Sequence, residues 1–125
     1  MTYATPKRLI LSAVIARAKR PLTPEDIRKE ARKQIPTIGI ATVYRALKQF
    51  VAEGQVRQVE VQGAPPHYEN AGQHHHHFFF CLQCRRMFNL LGCVRGIHRL
   101  APAGFSVKRH EIVLYGDCAD CRKRA

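Results

Sequence analysis

Four of the five cysteines fall in two pairs of identical spacing, Cys81-Leu82-Gln83-Cys84 and Cys118-Ala119-Asp120-Cys121. A Cys-x-x-Cys knuckle lets two thiolates grip one ion from a single tight turn. Two knuckles together close a tetrahedral zinc site with no position left for water. Such a site staples a fold and does no catalysis. A redox role is the competing reading of any one Cys-x-x-Cys, but two copies of matching spacing favour a shared ion. Metal thiolates also suit a reducing compartment, where disulfides are disfavoured. The odd count leaves Cys93 with a different task.

The histidines form the second constellation. All seven lie after Pro66, and four are consecutive, His74-His75-His76-His77, running into Phe78-Phe79-Phe80. On a strand, side chains alternate, so His75 and His77 share one face while His74 and His76 share the other. Two imidazoles two residues apart make half of a metal site. Cys93, His98 and His110 are the candidate partners, with Glu69 and Glu111 as carboxylates. The plain alternative is a solvated histidine cluster that holds no specific ion.

The elements that must position these groups change character near Pro65-Pro66. Before that point the chain carries no cysteine and no histidine, and three helices are expected. Thr5 and Pro6 start the first, with Leu9, Ile10, Ala13, Val14 and Ala16 as its apolar face. Thr23 caps the second, with Pro24 at its first position and Glu25 and Asp26 at the positive end of its dipole. It ends before Pro36. The third follows Gly39, repeats Val43, Leu47 and Phe50 at helical spacing, and stops at Gly54. The alternation from Gln55 to Val61 reads as a strand, with His67-Tyr68-Glu69 returning as its partner. Three helices and a hairpin is the order of a winged helix-turn-helix. In the second half, His74 to Leu82 is expected as a strand, Leu90, Val94 and Ile97 as a short helix, and Phe105 to Tyr115 as β-prone chain. The fold class is therefore α+β, with a winged helix over residues 1–68 and a small α/β metal-binding domain over 69–125.

Charge points to a partner. Lys and Arg number 21 against 9 acids, for a net charge of +12, which attracts polyanions and predicts salt-sensitive binding. Thr42, Tyr44, Arg45 and Lys48 lie off the apolar stripe of the third helix and suit a major groove. A merely solvated basic face is the alternative. The longest apolar runs, such as Ile10 to Ile15 broken by Ser12, are too short to span a bilayer. With no cleavable leader evident either, a cytoplasmic protein with no membrane partner is expected.

Ile38-Gly39-Ile40-Ala41-Thr42-Val43-Tyr44-Arg45-Ala46-Leu47, the histidine run, both knuckles and His110-Glu111-Ile112-Val113-Leu114-Tyr115-Gly116 together resemble the ferric uptake regulator superfamily, in order over nearly the whole chain. The resemblance implies a homodimeric repressor of a double-stranded DNA operator. It implies structural zinc on Cys81, Cys84, Cys118 and Cys121, and Tyr44 and Arg45 facing the groove. A hinge metal site in this family takes four ligands. Here Glu69 and His76 match two of them, while Pro21 and Phe78 stand where histidines are usual, and two ligands do not hold a tight ion. The regulatory site of the dimerisation domain is matched by His75, His77 and His110, with Cys93 where a glutamate is usual. Three imidazoles and a thiolate suit zinc; an oxygen-rich octahedral shell would suit ferrous iron or manganese. Cys93 thus tilts the resemblance toward zinc-responsive members, with a small core residue as its other reading. The family's basic arm ahead of the first helix has no counterpart beyond Lys7 or Arg8.

The expected function is a zinc-responsive repressor with one structural and one regulatory zinc, rather than an enzyme. The alternatives are an iron-, peroxide- or thiol-redox-sensing regulator of the same family, a zinc-stapled interaction module, and a zinc hydrolase. Against the last, His110-Glu111 does not continue to a second histidine, since position 114 is Leu.

Overall fold

The computed structural model describes residues 5–124. Its first half contains helices α1 (Pro6–Arg17), α2 (Pro24–Ala31) and α3 (Ile40–Ala52), then strands β1 (Val56–Val59) and β2 (His67–Asn70). The starts are set by the expected caps. The Thr5 hydroxyl accepts the backbone N–H of Arg8 at 3.2 Å. Thr23 and Asp26 exchange side-chain and backbone bonds, each 3.1 Å, in a capping box. α3 stops two residues ahead of Gly54, whose φ of 77° lies in the left-handed region that glycine enters without steric cost.

Leu11, Val14, Ile27, Val43, Leu47 and Phe50 meet in one core, which Val56 and Tyr68 join from the hairpin. β1 and β2 are antiparallel, with Arg57 opposite Glu69. Leu22 adds a bridge to Tyr68 through N–H···O bonds of 2.9 and 2.7 Å. The hairpin is thereby fastened to the chain just ahead of α2.

The second half contains β3 (His77–Cys81), β4 (Met87–Leu90), a single 3-10 turn (Ile97–Leu100), β5 (Val113–Gly116) and α4 (Ala119–Arg124). β3 is central, antiparallel to β4 and parallel to β5. Phe78, Phe80 and Met87 form a second core, and Val59 and Val61 reach into it from the hairpin. The α+β class expected from the residues is the class observed.

Three expectations are corrected. The strand of the histidine run begins only at His77, because His74 to His76 have no neighbouring strand. The helix through Leu90, Val94 and Ile97 is absent: Leu90 closes β4, and only Ile97–Leu100 turns, behind Gly96 with φ 74°. The β-prone stretch from Phe105 forms a strand only from Val113, where β3 offers hydrogen bonds.

His67 sits between the two cores. It is buried, lies edge-on to Phe80, and its Nδ1 bonds the Pro65 carbonyl at 3.0 Å, while its Nε2 has no partner among the described residues. Burial depresses its pKa, reinforced by Arg20 and Arg85 and opposed by the Pro65 carbonyl and Asp26. A histidine with a depressed folded pKa binds its proton more readily when unfolded, so stability falls as pH drops below its usual value near 6.5. His67→Leu is expected to lose less stability than wild type between about pH 7 and pH 5, measured by urea midpoints across that range. Parallel pH curves would show that His67 is not the acid-sensitive group.

Candidate metal centres

The parallel pairing of β3 with β5 brings like ends of the two strands together. Phe78 stands opposite Val113 and Cys81 opposite Gly116. His77 opens β3 and His110 lies just ahead of β5; Cys81 closes β3 and Cys118 lies just beyond β5. β4 runs back and returns the chain toward the histidine end, where Cys93 follows it. Cys84 lies in the turn between β3 and β4.

At the far end, the ligand atoms of Cys81, Cys84, Cys118 and Cys121 all lie within 4.8 Å of one another. Cys84 and Cys118 sulfurs are 3.9 Å apart, against about 3.8 Å for the edge of a zinc–thiolate tetrahedron with 2.3 Å bonds. Backbone N–H groups of Cys84 and Cys118 point at the Cys81 sulfur from 3.5 and 3.3 Å. Burial would raise the Cys81 thiol, but these backbone donors prevail and bring it down to about 6. The Cys118 side chain, followed by burial, pushes Cys121 up to about 12. Four thiols this close cannot all ionise without a cation among them. The donor set fits a closed zinc site.

At the near end, Cys93, His75, His77 and His110 form a second group within the same limit. The His75 Nε2 lies 3.0 Å from that of His77 and 3.2 Å from that of His110. The Cys93 sulfur lies 3.0, 3.2 and 3.6 Å from the Nε2 atoms of His110, His77 and His75. Tetrahedral zinc–nitrogen bonds require an edge of roughly 3.3 Å. Burial, then the neighbouring His75 and His110, lowers the pKa of His77 and favours its neutral form. The His77 ring is fixed by the backbone N–H of Ile112, which donates to Nδ1 at 3.1 Å. Cys93 is exposed, its sulfur in the imidazole cluster rather than in either core. Three nitrogens and one sulfur again suit zinc.

His76 turns the other way, as alternation requires, and its Nε2 meets Glu69 at 2.9 Å. Glu69 is only 3% exposed, and Arg57 Nε sits 2.9 Å from its second oxygen. Pro21 and Phe78 are both fully buried. The hinge thus offers two donors, and a guanidinium already neutralises the carboxylate, so these residues do not fit a hinge metal. Arg57 is the residue that sequence reasoning missed. Its only early signal was opposite charge across a hairpin whose register was not yet known. His98 lies exposed on the 3-10 turn, outside both donor groups.

On α3, Tyr44, Arg45 and Lys48 are exposed and Thr42 is half-buried, accepting a bond from Arg45 Nη2 at 3.2 Å. Lys7 is exposed at the start of α1. Arg8 is folded back, 3.1 Å from Glu53 and over the Phe50 ring at 5.4 Å. No helix among the described residues is long and apolar enough to cross a membrane.

Residues 2–115 match the ferric uptake regulator family, and the chain belongs to that family, whose members are regulators rather than enzymes. It is 32% identical to the ferric uptake regulation protein of Escherichia coli K12 over 94% of this chain and 83% of that one. It is 26% identical to the zinc uptake regulation protein of Mycobacterium tuberculosis over 95% of this chain and 94% of that one. The fold matches the iron-containing structure of the ferric uptake regulator from Francisella tularensis with a TM-score of 0.79 at 26% identity, over 97% and 95% of the two chains.

Because Cys118 stitches β5 to the β3–β4 turn, Cys118→Ser is expected to unfasten the second sheet. Metal analysis of the purified variant should show about one zinc fewer per chain, and the melting temperature should fall by well over ten degrees, since structural zinc contributes on the order of 10 kcal/mol. An unchanged melt would show that the knuckles do not share an ion.

Proposed function

We propose that this chain is a zinc-responsive transcriptional repressor that binds double-stranded DNA as a homodimer. The carrying observation is the convergence of His75, His77, His110 and Cys93 at 3.0–3.6 Å from three separate segments of the chain. Cys81, Cys84, Cys118 and Cys121 hold a structural zinc on this reading, and the three imidazoles with Cys93 hold the regulatory one. Residues 1–68 are the winged-helix DNA-binding domain and residues 69–125 the dimerisation domain.

The basic face of α3, with Thr42, Tyr44, Arg45 and Lys48, enters the major groove, and Lys7 approaches the flanking backbone. Among the described residues, Arg45 and Lys48 make no ion pair, so their charge is free for phosphate or base. Arg8 is held by Glu53 and contributes to DNA only on leaving it. The second copy covers an apolar surface of the small domain, where Leu91, Leu100 and Phe105 are 88%, 84% and 71% exposed. Covering three such side chains with a second copy would take their apolar area out of water. A bound regulatory ion supplies a common anchor for three segments. The residues themselves then fix the two α3 helices at one spacing, favouring the DNA-competent population.

Iron sensing is the second reading, favoured by the 32% identity to a ferric uptake regulation protein. Sulfur in the donor set opposes it, because ferrous iron prefers harder oxygen-rich shells. Thiol redox sensing rests on the exposure of Cys93.

The decisive measurement is which metal restores DNA binding to stripped protein. Zinc is expected to restore it at lower free concentration than ferrous iron; recovery with ferrous iron but not zinc would replace this reading with the second. Wild-type protein should carry about two zinc per chain. Cys93→Ser should hold about one, with DNA affinity reduced roughly tenfold or more, within the usual range of allosteric coupling. Unchanged zinc content in that variant would remove Cys93 from the site.

A further inference from the structure

We infer that Arg57 is the link through which the His75/His77/Cys93/His110 cluster acts on the DNA-binding half; this rests on the reading of that cluster as the regulatory site. Arg57 lies on β1, the first strand of the hairpin. Its guanidinium spans two carboxylates, with Nε 2.9 Å from Glu69 and Nη2 2.7 Å from Glu111, and it lies over the Phe78 ring at 5.7 Å. Each carboxylate touches the cluster's own chain. Glu111 directly follows His110. Glu69 holds His76 at 2.9 Å, and His76 sits between His75 and His77. One cation therefore gathers two of the three ligand-bearing segments onto the strand that leads from α3.

Beside the apolar packing of Val59 and Val61 on Phe78 and Phe80, the other side-chain hydrogen bonds between the halves arrive elsewhere. The Gln62 N–H donates to the Tyr115 hydroxyl at 3.0 Å, Arg85 Nη2 to the Gly63 carbonyl at 2.8 Å, and Asn89 Nδ2 to the Lys19 carbonyl at 3.2 Å. None involves a residue beside a cluster ligand. Residues 101–112 carry no helix or strand, but Ile112 is tied to β3, its carbonyl accepting the Phe78 N–H at 3.0 Å and its own N–H donating to His77 Nδ1 at 3.1 Å, and Glu111 lies between that tie and His110. Anchoring His110 holds Glu111 against Arg57 and thereby holds β1.

The test compares wild type, Arg57→Gln, Glu111→Gln and Asn89→Ala on a duplex selected in vitro by zinc-loaded wild-type protein. DNA affinity is measured with the regulatory site loaded with zinc and with it stripped, and zinc affinity with and without the duplex. The quantity read is the ratio of the two DNA affinities. A general loss of DNA contact at Arg57 cancels in it, and linkage requires zinc affinity to change by the same factor on DNA binding. Arg57→Gln and Glu111→Gln are expected to cut the ratio about fivefold or more, within the usual coupling range, while two zinc per chain are retained. Asn89→Ala keeps the wild-type ratio. Glu111 is an exposed acid, so its variant keeps the question answerable if Arg57→Gln folds poorly. A zinc-dependent wild type whose ratio survives both substitutions overturns the link alone. A wild type with no zinc dependence overturns the sensing reading and this inference with it.

Discussion

β3 and β5 lie side by side and point the same way, and both donor groups depend on that direction. Parallel pairing puts His77 beside the approach to His110 at one end, and Cys81 beside Gly116 and Cys118 at the other. Antiparallel pairing would have set histidine ends against cysteine ends and made neither group. Parallel neighbours need a long connection. Here it runs from β4 through the 3-10 turn, and Cys93 is picked up on the way. Four residue steps along β3, at roughly 3.3 Å each, separate the two groups by about 13 Å. The strand interior, Phe78 and Phe80 in the second core, keeps that spacing fixed.

Much of this was legible where chemistry is local. The Thr23-Pro24 start, the Gly54 stop and the two Cys-x-x-Cys pairs carry their physical reasons within a few residues, and the structure shows the corresponding caps, termination and thiol cluster. Alternation in the histidine run likewise separated His75 and His77 from His76, although β3 proper starts one residue after His76. What failed was periodicity without a partner. Leu90, Val94 and Ile97 recur at helical spacing, but Gly92 and Gly96 interrupt them and Cys93 is drawn into the imidazole cluster. β4 and α4 are four and six residues long, too short for a period to establish itself. The pairing of Arg57 with Glu111 needed a contact across 54 positions, which no local pattern encodes.

The net charge of +12 is unevenly committed. Arg8 pairs with Glu53, Arg28 with Glu25, Lys33 with Glu30 and Arg57 with two acids. Several of these pairs are exposed and each contributes little to stability. Their larger effect is to concentrate the remaining positive field on surfaces such as α3, where the acids are sparse. Arg57 differs from these pairs in reaching two acids from separate parts of the chain, one of them only 3% exposed.

The left-handed backbone at Arg85 has a wider meaning. A non-glycine residue at φ 64° is uncommon, and here it lies directly after Cys84, with its guanidinium over Phe80 at 5.3 Å and bonded to Gly63 in the hairpin. The bend that aims a thiol is thus held in place by a side chain reaching into the other half of the molecule. Loss of that thiol would not stay within the knuckle: relaxing the bend would free the arm that clasps the hairpin and loosen the joint between the halves.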